Sequence, residues 1–418
     1  MSAHVGPCWP SPWPAEDGGA SRLQRAAGAS LGPGGLTATY READVATMAV
    51  LREPGEVLLL RHTPGPDATS WVERIDATTL EPIARSEPLA AGPVWPGGLA
   101  AHRDGGILVV FGRHAHRLDG DLRVVASRRL PVDRPYNSFV LLDDGHLVCK
   151  EFGGRLPGED PASSAHASTG VLVLDPVTLD TVAAATLTEA SIARLAADAN
   201  HVYVVGTDSL FALHFDGRSL EGAAQPLATY RTVEGQTYGW DPVVARGAVW
   251  FLDNGFGSER YAGTFLGAGT GVTPVHVVRV DLATAAVTLT EVCGLAGGIV
   301  ANPPLVDVER GIVVGFDSGN GVLAAFDIED DGALSPRWQH AQAHGAHLLL
   351  LDDGVLVSGD HDAQRWMDQI VLRDIASGDE LGRVDTGSAF QSVLFFAPGW
   401  HRDLYYCSFL GIARISAD

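Results

Sequence analysis

Polar and ionisable side chains recur in this chain at two kinds of position, each bordering a short apolar run. One set precedes such a run: Asn137, Arg194, Asp241, Asn302, His344, His347 and Gln391, with Tyr136 and Trp240 directly before Asn137 and Asp241. The other follows one: Glu151, Asp208, Asp253, Asp317, Asp360 and His361. Brought together, the first set would offer amide, carboxylate, guanidinium and imidazole groups to a small polar molecule, and Tyr136 and Trp240 would supply the apolar wall that such sites need. Glu151, His347 and His361 are the candidates for moving a proton. Carboxylate and amide oxygens converging from separate elements also suit a hard divalent cation, which could polarise a carbonyl or activate water. The cofactor therefore stays unknown, with a divalent metal as one option.

Other chemistries lack their residues. The spacing His340, His344, His347, with His361 beyond, offers imidazoles for a transition metal but is not an HExxH motif. No GxSxG elbow occurs, and Leu147 stands where an SxxK serine would precede Lys150, the only lysine. LGAGTG at 266–271 has no lysine and no strand-to-helix setting for a phosphate loop. Cys8, Cys149, Cys293 and Cys407 are scattered without CxxC spacing and read as reduced thiols.

Composition narrows the partners. With 51 acidic and 29 basic residues the net charge is -22, which opposes nucleic acid and anionic membrane surfaces alike. The N-terminus lacks a basic start leading into an apolar stretch, and no apolar run reaches the roughly 18 residues of a membrane span. A cytoplasmic location is the default expectation. Residues 1–35 are rich in Pro, Gly and Ala without apolar periodicity and read as a flexible or loosely attached leader.

The elements that must position the polar sets form a repeat. NSFVLLDDGHLVCKEF, GGLAAHRDGGILVVFG, ARLAADANHVYVVG and GAHLLLLDDGVLVSGD each join two apolar strands through a tight turn. A second strand pair usually follows, as in GVLVLDPVTLDTVAAA and HVVRVDLATAAVTL. No long helical periodicity interrupts this pattern. Eight units of roughly 48 residues, each a four-stranded antiparallel sheet, predict an all-β, eight-bladed β-propeller over 36–418, with seven blades as the alternative. The last unit, ending in GIARISAD, is one strand short, and LTATY at 36–40 is placed to supply that strand and close the ring. Closure also removes long exposed sheet edges.

GVLVLDPVTLDTV and GNGVLAAFDIEDDGALSPRW resemble the repeats of PQQ-like (quinoprotein-type) and YVTN-type propellers across nearly all of 36–418. The resemblance implies the fold; quinoprotein dehydrogenases of that superfamily bind PQQ with a metal. This chain has no adjacent cysteine pair and no regular tryptophan docking pattern, Trp338 being the clearest match, so PQQ is not expected.

In such a ring the starts of innermost strands and the ends of second strands share one face, here called upper. The tight Asp-Gly turns lie opposite, where these residues serve the turn itself. Long connections at 153–170, 254–274 and 360–368 also stand on the upper face. Two readings follow. One is a small-molecule enzyme working at the upper axial mouth by acid-base or metal-assisted hydrolase, lyase or isomerase chemistry. The other is a non-catalytic platform gripping a protein or peptide partner, which requires exposed apolar side chains on the upper face.

Overall fold

The computed structural model describes residues 6–32, 34–65, 67–92, 97–154, 156, 159, 168–258 and 261–417. Eight sheets of four or five strands follow one another around a ring, each wound outward in an antiparallel order. The innermost strands of blades 1 to 8 are Ala46–Leu51, Gly98–Ala101, Tyr136–Leu141, Leu195–Asp198, Val243–Ala245, Leu305–Asp307, Leu349–Leu351 and Phe396–Pro398. The count is eight, not seven. Leu36–Glu42 pairs antiparallel with Gly411–Ala417 from Leu36↔Ala417 to Glu42↔Gly411, so the N-terminal side supplies the outermost strand of blade 8 and closes the ring.

Local sequence explains the layering. Inner strands pack on neighbouring blades through both faces, and Ala46–Leu51 and Val57–His62 are buried at every position. Outer strands meet solvent on one face, and Val124–Arg129 accordingly alternates between partly buried and exposed residues. The turns behave as their composition suggests. Asp144 Oδ1 accepts from His146 N at 2.9 Å, and Asp175 Oδ1 accepts from Val177 N and Thr178 N at 2.8 Å. Among the described residues no helix is long and apolar enough to cross a membrane.

The leader departs from the expected flexible segment. Residues 6–32 enter the central channel from the lower face, turn at a short 3₁₀ segment, Glu16–Gly18, dip back toward that face at Ala20, rise again to Gln24 and leave by the lower face at Ala29. They touch all eight blades. Leu51 N donates to Trp13 O, Trp9 N to Ala101 O, Ala197 N to Ala20 O and Val244 N to Ser21 O. Arg22 Nη2 donates to Ser138 Oγ in blade 3, Gln24 Nε2 to Pro304 O in blade 6, and Arg402 Nε of blade 8 to Leu31 O, each at 2.7 or 2.8 Å. Arg25–Ala26 pairs in parallel with Leu350 and Leu351 of blade 7. Trp13, Arg22 and Gln24 are buried. A ring of inner strands leaves unpaired backbone groups around its axis, and the leader supplies partners for several of them.

Replacing Arg22 by Ala takes from buried Glu16 and Asp17 the cation they share, leaving only Arg194 beside the first and His347 beside the second, so denaturant unfolding should show a loss of about 3–5 kcal/mol. Wild-type stability in that variant would contradict the hub role.

Candidate functional site

The upper end of the leader meets the inner strands in a cluster of ionisable groups. Glu16, Asp17, Arg22, Lys150, Arg194, Asp241 and His347 come from the leader and blades 3, 4, 5 and 7, and none is more than 6% exposed. Arg22 Nη1 lies 2.5 Å from Glu16 Oε1 and 2.8 Å from Asp17 Oδ2. Asp17 Oδ1 faces His347 Nδ1 at 2.9 Å, and the His347 ring stacks on Phe395 with centroids 3.8 Å apart. Arg194 Nη1 lies 3.0 Å from Glu16 Oε2, and its guanidinium sits over the same Phe395 ring at 4.8 Å. Asp241 Oδ1 accepts from Arg194 N at 2.7 Å, while its Oδ2, with Arg194 Nε 3.6 Å away, accepts no hydrogen bond from the described residues.

Burial and neighbours set the electrostatics of this cluster. Burial pushes the Asp17 carboxyl up, but His347 and Arg22 outweigh it and hold its pKa below the ordinary value. Burial also opposes the charge on Arg22, and Glu16, Asp17 and Asp241 overcome it, raising its pKa. Lys150 moves the other way. Full burial brings it down to about 7 despite the nearby Asp241 and Glu151. Its Nζ donates to Ser191 O at 3.0 Å and sits 3.5 Å from Asn137 Oδ1, while Asn137 Nδ2 donates to Ile192 O, tying blade 3 to blade 4. Asp17, Arg22 and Gln24 adopt left-handed backbone, with φ of 53°, 57° and 54°. Such backbone in non-glycine residues costs on the order of 1–3 kcal/mol each and concentrates at functional sites.

Of the residues singled out from sequence, Asn137, Arg194, Asp241 and His347 thus meet at the axis. The others do not join them. Asn302 Nδ2 donates to Gly345 O and Val393 O, tying blades 6, 7 and 8 together. Gln391 holds the long blade 5 loop: its Oε1 accepts from Phe265 N at 2.7 Å, and its backbone O accepts from Tyr261 Oη. Tyr136 is core between blades 2 and 3, and Trp240 packs on blades 5 and 6 with its indole N–H buried and unpartnered among the described residues. Glu151 sits at a strand end, where its Oε1 accepts from Gly170 N. Asp317 Oδ1 accepts from Asn320 N and Asp253 binds His276 through two hydrogen bonds, so both stabilise local loops. Asp208 is ion-paired to Arg231, and Asp360 to Arg383.

The histidines spaced 340, 344 and 347 do not form a ligand set. His340 lies on an outer strand beside Trp338, and His344 is fully buried against Gly359, where desolvation brings its pKa down to about 3. Among the described residues no three His, Cys, Asp or Glu side chains group so as to hold a metal ion. His361 has a separate partner. It pairs across its hairpin with Asp368, Nδ1 to Oδ1 at 4.0 Å. Asp368 Oδ2 accepts from Tyr406 Oη at 2.6 Å and Ser392 N at 2.9 Å, and burial raises its pKa to about 8.

Sequence reading missed Glu16, Asp17, Arg22 and Asp368. Three of these lie in a segment without periodicity. The fourth lies in 360–368, read from sequence as a long connection but folded as a hairpin in which Val355–Asp362 pairs with Met367–Asp374, and only that pairing sets it opposite His361.

No family model and no curated protein match the chain. Solved structures do. A quinohemoprotein alcohol dehydrogenase from Comamonas testosteroni aligns at a TM-score of 0.65 and 11% identity, covering 96% of this chain and 80% of that one. BamB from Moraxella catarrhalis aligns at 0.59 and 13%, covering 92% and 100%, and the computationally designed Ika8 protein at 0.60 and 12%, covering 91% and 98%. At these identities the likeness is one of fold, and the repeats' resemblance to PQQ-like propellers holds at that level. A quinone cofactor of the kind the first name implies does not fit the residues here. Glu16, Asp17 and Arg22 fill the axis, and the four cysteines are separate free thiols.

Asp368 has a consequence for pH. The folded state keeps a proton that the unfolded chain releases above pH 3.8, so this group makes stability fall as pH rises from there to about 8. In Asp368→Asn, thermal unfolding measured across that range should lose this component of the decline; an unchanged slope would show the carboxyl to be ionised in the fold.

Proposed function

We propose that the chain is an enzyme acting on a small polar organic molecule at the upper mouth of the propeller axis, by proton transfer at His347. The observation that carries this reading is the burial of seven ionisable side chains at one point of the ring. For holding blades together such a cluster is a poor choice. Desolvating each ion costs several kcal/mol, and apolar groups of similar volume often stabilise a fold as well or better. Clusters of buried, mutually perturbed ionisable groups concentrate where chemistry is done.

The roles follow from geometry. Asp17 Oδ1, 2.9 Å from His347 Nδ1, favours by its charge the tautomer with the proton on that nitrogen, which leaves Nε2 to take a proton from a bound molecule. Phe395 keeps the ring plane in place. Asp241 Oδ2 is available to accept from a substrate hydroxyl or amine, and Arg194, anchored by Glu16, to face developing negative charge on an oxygen. Asn137 and Lys150 belong to the wall on the blade 3 side. Acid-base chemistry is favoured over the metal-assisted route because the axial carboxylates Glu16 and Asp17 are already engaged by arginine or histidine. Glu151 and His361 lie outside this arrangement.

The test is a ligand-observed NMR screen of small hydroxylated, amino and keto compounds against the whole chain. Hits belonging to the axis should bind Asp241→Asn and His347→Gln at least about tenfold more weakly, the loss expected when a buried polar partner goes missing. Turnover of a hit should depend on His347 and shift its pH profile in Asp17→Asn. Hits that bind every folded variant equally, or a screen without hits, would overturn the reading.

A further inference from the structure

The upper face carries a second feature that the axial chemistry does not use. Val233, Phe256, Leu266, Val272, Leu295, Trp366 and Phe390 are between 38% and 75% exposed, and all lie in upper-face connections of blades 4 to 8. The other strongly exposed large apolar residues among those described are dispersed. Ile83, Val125, Val182 and Leu381 lie on outer strands, and Val177 and Val308 in lower-face turns. Scattered apolar residues are ordinary, whereas a one-sided concentration marks an interaction surface.

The patch has local shape. Phe256 and Val272 line a cleft of about 180 Å³ together with Gly235, Thr237, Asn254 and Gly298. That volume is below the few hundred Å³ of a small-molecule pocket and suits one inserted side chain. Trp366 and Phe390 flank Gly263, both within 3.4 Å of where a Cβ would stand, so a side chain there would crowd the two rings.

Charge identifies the occupant. Glu234, beside Val233, and Glu291, near Leu295, are exposed, and neither is ion-paired to an arginine among the described residues. A chain of net charge -22 repels a second copy of itself and an anionic lipid surface. We infer that the upper face of blades 4 to 8 docks a segment of another protein in which an apolar anchor is flanked by arginine or lysine.

Random dodecapeptides displayed on phage, panned against the full chain and against a folded Phe256→Ser/Val272→Asp variant, test this. Wild type should enrich cationic peptides with an aromatic or branched aliphatic residue. A synthetic copy should bind the variant at least about tenfold more weakly and lose affinity as salt rises. If that variant does not fold, Trp366→Ser/Phe390→Ser takes its place. Enrichment of acidic or neutral peptides, no enrichment, equal binding to the variant, or a homodimer in sedimentation that the variant abolishes would each overturn the inference.

Discussion

One guanidinium holds the centre of this molecule. Arg22 reaches Glu16 and Asp17 in its own segment, Ser138 in blade 3 and the Leu195 carbonyl in blade 4, all out of contact with water. Around it the leader touches every blade. A propeller closed only at its rim has one seam, here the antiparallel pairing of Leu36–Glu42 with Gly411–Ala417. This chain adds a hub, so that inner strands distant in sequence are bound to one common segment. The guanidinium suits that place because it stays charged when buried and presents several donors in a fixed plane.

The hub and the candidate site are the same atoms. Glu16 positions Arg194 and Asp17 positions His347, so the axis acquires its geometry only when the leader is in place. Left-handed backbone at Asp17, Arg22 and Gln24 adds strain, which the surrounding ion pairs and hydrogen bonds offset. A structural clasp has no need for this expense of charge and strain. The proposed site rests on that imbalance rather than on any single residue.

The two faces divide the labour. Lower turns are short and stitched by Asp carboxylates to neighbouring backbone N–H groups, and the leader enters between them. On the upper face the long blade 5 connection crosses to blade 8, where Gln391 binds it through both side chain and backbone; most of 153–170 lies outside the described residues. Seven exposed apolar residues concentrate in connections of this face, so the proposed axial site and the surface patch share one side.

Alternation of apolar runs with Asp-Gly turns fixed the blades, and eight of them with one strand missing fixed the closure by residues near 36–40, because a sheet repeat with a deficit has one economical completion. It also placed Asn137, Arg194, Asp241 and His347 on a common face, since position along a strand decides which end of the ring a residue occupies. Only the tertiary structure decided that His344 faces Gly359 while His347 faces the axis, since the chain between them is irregular. The leader was illegible for a further reason. Its contacts run largely through backbone groups and through charges, neither of which leaves an apolar period, and the channel that buries Trp13 and Arg22 exists only once eight separate sheets have come together.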